Sequence, residues 1–168
     1  MEPQEQIKME PYAESMRYLN NAEEILQKTR KEDNLYLDKK YVSIACGAAY
    51  KGVLHALDAW LAINGRPIPT KRDKTKRHRS IDMYRAEVAK LDGRMLDRLN
   101  AVYEVLHLAG YYDEVRDARI IRPGFEIAYE IIARIKPAVP EEELQQYLAA
   151  HQKKKSSLWR QFCSFLFL

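Results

Sequence analysis

Two cysteines in 168 residues, Cys46 and Cys163, are too few and too widely separated for a disulfide framework or a CxxC metal pair. A reduced, cytoplasmic chain is the simplest expectation. Apolar runs are short, and none approaches the ~20 residues that a membrane-spanning helix needs. The first residues, Met1-Glu2-Pro3-Gln4-Glu5, are acidic and polar where a secretory signal would be basic and then apolar. Glycine (6) and proline (7) are scarce and fall between periodic segments, so they act as punctuation. No stretch alternates apolar and polar residues as a strand would. A Walker loop, a dinucleotide fingerprint and a nucleophile elbow are all missing, which argues against a conventional enzyme. Excess charge is small too: 28 Lys+Arg against 24 Asp+Glu leave a net +4, which permits an anionic partner without demanding one.

What remains is helical periodicity. Apolar residues make up 46% of the chain, enough to fill the core of one domain. The spacing predicts a first helix from Pro11, with Tyr12, Met16, Leu19, Ala22 and Leu26 on one face, ended by the polar Lys31–Asn34 stretch. A second helix spans about Asp38 to Asn64 and stops at Gly65. Its small residues Ala45, Ala48, Ala49, Gly52 and Ala56 invite close packing, which places it centrally. A third helix, capped by Ser80, repeats Ile81, Tyr84, Val88, Leu91, Met95, Leu99, Val102 and Leu106 until Gly110 closes it. A fourth starts at Pro123 and buries Phe125, Ala128, Ile132 and Ile135. Beyond Pro137 and Pro140, Glu141–Glu143 open a fifth, polar helix running to Lys153–Lys155 and an apolar tail. The expected fold is all-α: an antiparallel up-and-down four-helix bundle with an additional C-terminal helix and tail. The expected layout is a flexible N-terminus (1–10), the bundle (11–136) and the C-terminal helix and tail (137–168).

The stretches Tyr41-Val42-Ser43-Ile44-Ala45, Ala48-Ala49-Tyr50 and His55-Ala56-Leu57-Asp58-Ala59 up to Gly65 stand out, as does Leu106-His107-Leu108-Ala109-Gly110-Tyr111-Tyr112. Through these, residues 12–136 resemble the HEPN-like helical bundles. The resemblance implies association with nucleotide or RNA, or with a nucleotidyltransferase or toxin–antitoxin partner. In some branches it also implies metal-independent RNA cleavage by an Arg and a His four to six residues apart near the end of the third helix. Here that region offers Arg98 and His107, nine positions apart and on opposite helix faces. Arg72 and His78 have the family spacing but precede the third helix. The expectation is therefore a non-catalytic branch, a homodimer, with no catalytic residue, cofactor or metal. The alternatives are a ribonuclease using Arg72 and His78, or an interaction module working through its tail.

Lys71, Arg72, Lys74, Lys76, Arg77 and Arg79, with His78 among them, crowd one connector. Such density suits phosphates and would make binding salt-dependent; a solvated connector is the plainer reading. His55, Asp58, Tyr103, His107, Tyr111 and Tyr112 are candidates for a cleft. Glu104 and His107 show the Glu-x-x-His spacing of di-iron bundles, but the second helix contains no Glu to complete such a site. Tyr103, Tyr111 and Tyr112 with Arg116, Arg119 and Arg122 could bind an anion, or the tyrosines could cap the bundle while the arginines pair with Asp113, Glu114 and Asp117. The tail, Leu158 to Leu168 within residues 156–168, is too apolar to stay in water. It should pack on its own bundle, a second copy or a partner protein rather than a membrane.

Overall fold

The computed structural model describes residues 3–69 and 80–152; the basic segment 71–79 and the tail 156–168 lie outside them. The architecture is an all-α bundle. Its helices are α1 (Pro3–Leu26), α2 (Lys39–Ile63), α3 (Ile81–Ala89), α4 (Gly93–Val102), a π-helix (Tyr103–Tyr112) continuing α4, and α5 (Ala118–Ala133). A further helix, α6, covers 141–152.

α2 is the central element and packs on α1, the π-helix and α5. Its small face explains why: Ala45, Ala49, Gly52 and Ala56 are buried, and a Cβ on Gly52 would sit 3.0 Å from the Ser15 carbonyl oxygen of α1. Most of the expected core positions are buried, with Leu19, Leu57, Leu61, Leu99, Leu106, Phe125 and Ile132 all excluded from water; Leu91 is exposed instead. Gly65 ends α2 in the left-handed region at φ 72°, as its position predicts.

Helix boundaries differ from expectation in four places. α1 begins at Pro3, so Pro11 lies inside it rather than in its first turn. The Pro11 carbonyl accepts a hydrogen bond from the Ser15 hydroxyl at 2.8 Å. α5 begins at Ala118, not Pro123, because Asp117 caps it by accepting from the Arg119 N–H at 2.9 Å. The expected third helix is two helices and a π-helix. Asp92 accepts from the Met95 N–H and starts a new helix after the turn at Leu91. Gly110 does not close that helix but lies within the π-helix, which runs on to Tyr112. Ser80 occupies the N-cap position of α3 without a capping side-chain bond.

The stretch 31–34, expected only to end the first helix, is part of a two-stranded hairpin, β1 (Lys31–Glu32) and β2 (Leu35–Tyr36). It is tied to the α5 entrance: Tyr36 N–H donates to the Arg116 carbonyl, and Ala118 N–H to the Asn34 carbonyl. Asp33 takes the positive φ that its turn requires.

Candidate functional site

Three side chains four residues apart, Tyr103, His107 and Tyr111, project from one side of the π-helix and stack into a column. The Tyr103 and His107 rings are 5.1 Å apart at 29°, and His107 and Tyr111 are 5.8 Å apart at 20°. Residues three and four apart already share a face on an α-helix. Here the wider i→i+5 winding carries the run to Tyr112, closed by Asp113 N–H donating to the Leu108 carbonyl at 2.8 Å. Long π segments are rare, and single π turns often mark functional sites.

α2 supplies the column's wall. Tyr50 lies 4.9 Å from His107 and 6.1 Å from Tyr103, centroid to centroid. Two glycines permit this approach. A Cβ on Gly47 would lie 3.0 Å from Cδ2 of Tyr111, so the missing side chain is the seat of that ring. A Cβ on Gly110 would collide with Cys46, 2.8 Å from its Cβ. The Ser43 hydroxyl fixes the far end by donating to the Tyr111 carbonyl at 3.0 Å.

The other end carries a cation. The Arg85 guanidinium of α3 sits 4.9 Å from the Tyr103 ring centroid. Its Nε donates to Asn100 Oδ1 at 2.8 Å, and Asp82 holds the outer nitrogen at 3.2 Å. Cation–ring contacts of this kind contribute ~0.5–1 kcal/mol at exposed sites. Burial pushes the Tyr50 phenol up to about 12, with Tyr103 adding to the rise and Arg85 opposing it. Burial also holds the His107 imidazole below its ordinary value, which favours the neutral form. The far end of the column is open: Tyr111 is 47% exposed, and its chain neighbour Tyr112 is 74% exposed.

The structure therefore joins three of the six residues expected in a cleft. His55, five positions beyond Tyr50 and so about 140° further round the helix, stacks instead on Tyr18 of α1 at 5.1 Å. Burial and then Lys51 lower its pKa. Asp58 accepts from the Tyr84 hydroxyl at 2.9 Å. Arg98 pairs with Glu130 of α5, so it does not meet His107. Of the three arginines, Arg119 pairs with Asp117, Arg122 with Glu23, and Arg116 donates to the Leu37 carbonyl. Glu114 pairs with Lys39. Each of these arginines is thus engaged by an acid or a carbonyl.

Ser43, Gly47, Tyr50 and Arg85 also belong to the site, and none of these four is among the six residues expected in a cleft. Tyr50 could have been suspected as a large ring on an otherwise small helix face. Arg85 gave no signal, because the turn that brings α3 over Tyr103 is masked by unbroken periodicity. Two open cavities, about 410 and 500 Å³, have no column residue among their lining. Among the described residues no group of three or more His, Cys, Asp or Glu could hold a metal ion. None of the described helices is long and apolar enough to cross a membrane.

A family model described as "Domain of unknown function (DUF5618)" matches residues 10–137. A solved structure, a protein of unknown function from Dyadobacter fermentans, is 38% identical. The similarity covers 77% of this chain and 95% of that one, with a TM-score of 0.65. No curated protein matches the chain.

Proposed function

The chain belongs to the DUF5618 family, and we propose that it is a non-catalytic, HEPN-like bundle that works by associating with RNA or a nucleotide. The observation that carries this reading is the aromatic column with Arg85 set on its first ring. Stacked rings beside cations are what single-stranded nucleic acid uses, because every base has a π face. The sequence adds charge close by along the chain: Lys71, Arg72, Lys74, Lys76, Arg77 and Arg79 precede α3, the helix that carries Arg85, by a few residues. On the same reading the protein acts in the cytoplasm as a homodimer, without metal or cofactor.

The test is binding of purified protein to labelled RNA across a salt series, with the RNA inspected for cleavage afterwards. Salt-sensitive binding that weakens when the cations of residues 71–79 are made neutral supports the proposal. Neutralising Z phosphate contacts on a single strand gives a slope of about −0.7Z in log K against log salt. Intact RNA supports the non-catalytic part; cleavage abolished by His78→Ala overturns it in favour of a ribonuclease. Absence of binding at low salt overturns the RNA reading and leaves the tail, residues 156–168, as the part to test for protein partners.

A further inference from the structure

We infer that the Tyr111 end of the column is a stacking seat for an unpaired nucleobase of single-stranded RNA, with Lys39 and Lys40 of α2 facing the adjoining phosphates. The inference rests on the association reading above and deepens it by naming the contact and the form of the RNA. One end of the column is closed, since Arg85 covers Tyr103. The other is open: Tyr111 is about half exposed and Tyr112 more so. A flat apolar ring added beyond Tyr111 would lengthen an existing stack whose rings are already ordered, so little side-chain freedom remains to be lost on binding.

Position and charge select the occupant. Ser43 ties Tyr111 to the first turns of α2 through the 3.0 Å hydrogen bond. Lys39 and Lys40 open that helix three to four residues earlier, and both are exposed. Lys39 is engaged by Glu114, a surface pair that competing phosphate can replace at small cost. A half-exposed ring at the end of a stack, beside exposed lysines, fits a ligand that alternates flat rings with negative charge. An apolar peptide would leave the lysines without a function. Duplex RNA hides its base faces and could use only the charges.

The first measurement is fluorescence anisotropy of the full-length protein with labelled oligoadenylate, against a duplex of equal length. Tyr111→Ala should weaken oligoadenylate binding by roughly five- to a hundred-fold, the range for one lost base stack, and leave duplex binding unchanged. Tyr111→Leu keeps bulk against Gly47 but removes the π face, so it should weaken binding similarly while retaining the wild-type circular dichroism and melting point. Tyr111→Trp should hold the affinity. If oligoadenylate binds Tyr111→Leu as tightly as wild type, the seat is overturned while the association reading stands. Equal loss for single strand and duplex overturns it as well, since backbone charge alone would then be at work. If wild-type protein binds neither, both readings fall.

Discussion

Gly110 and Cys46 show how closely one residue can set the geometry of the site. Their backbones approach until a Cβ on Gly110 would overlap the Cys46 side chain and crowd Ile121, its Cδ1 being 3.2 Å away. Both sit inside helices, so neither can swing aside cheaply. Gly110→Ala should therefore destabilise by about 1–3 kcal/mol, the usual range for overpacking, and thermal or denaturant melts measure it. Combining it with Cys46→Ala should recover part of the loss, because the sulfur goes but the Cβ stays. The same burial governs the thiol. Cys46 is fully buried and pushed up to about 12, so almost no thiolate exists at neutral pH. In a Cys163→Ser background an alkylating reagent should label Cys46 at the rate of unfolding rather than of an open thiol. Labelling as fast as free cysteine would mean that the α2–π contact is loose.

His55 and His107 give the pH dependence at this scale. Burial lowers both, so the folded chain binds fewer protons than the unfolded chain, whose histidines titrate near 6.5. Stability is then greatest above the unfolded value and falls as pH drops from about 7 through the depressed folded values. Replacing both with Gln should flatten the fall in melting temperature between about pH 7.5 and 5.5. An unchanged slope would assign that dependence to other groups.

Among the elements, the break between α3 and α4 matters most, because it is what aims Arg85 at Tyr103. The hinge rests on Asp92, which caps α4 through Met95 N–H at 3.1 Å and receives Arg134, the C-cap of α5, also at 3.1 Å. Asp92→Ala should cost about 1 kcal/mol from the cap, with little more from the exposed ion pair. Asp92→Asn should restore most of it, since Asn caps as well; equal losses for the two would refute the capping argument. The apolar positions from Tyr84 to Leu106 keep their three- and four-residue steps across this break, so periodicity reads one helix where there are two. Leu91 is the mark left on the pattern: it is 36% exposed where the spacing expects burial. Pro11 and Pro123 mislead in the opposite sense. Each reads as a helix start, yet one is the ninth residue of α1 and the other the sixth of α5, while Asp117 holds the cap that matters. The core faces and the central place of α2 were legible, because burial follows spacing. The column was legible only in part: Tyr103, His107 and Tyr111 share a face by spacing, whereas Tyr50 and Arg85 arrive from other helices by tertiary packing.

At the scale of the whole molecule the family match and the packed structure have different ends. The match stops at residue 137, yet α6 beyond it is fastened to the bundle. Leu144 is 1% exposed and belongs to the continuous core, and Tyr147 and Leu148 pack beside it. Lys136 pairs with Glu141 at 3.1 Å where the chain turns, and His151 faces Glu14 of α1 at 3.8 Å. The ion pair is exposed and worth little, so Leu144 carries the attachment. Leu144→Ala should cost about 2–5 kcal/mol if α6 shares the core's cooperativity, and the whole chain should then melt in one transition at a lower temperature. Were α6 an appendage, the same substitution would leave the main transition in place. Hydrogen exchange separates the outcomes at element resolution: protection lost in α1 and α6 together means one core, whereas protection lost in α6 alone means that the family bundle is complete without it. The first result would make residues 138–152 part of the fold that presents the column, and any shorter protein used to test RNA binding would have to keep them.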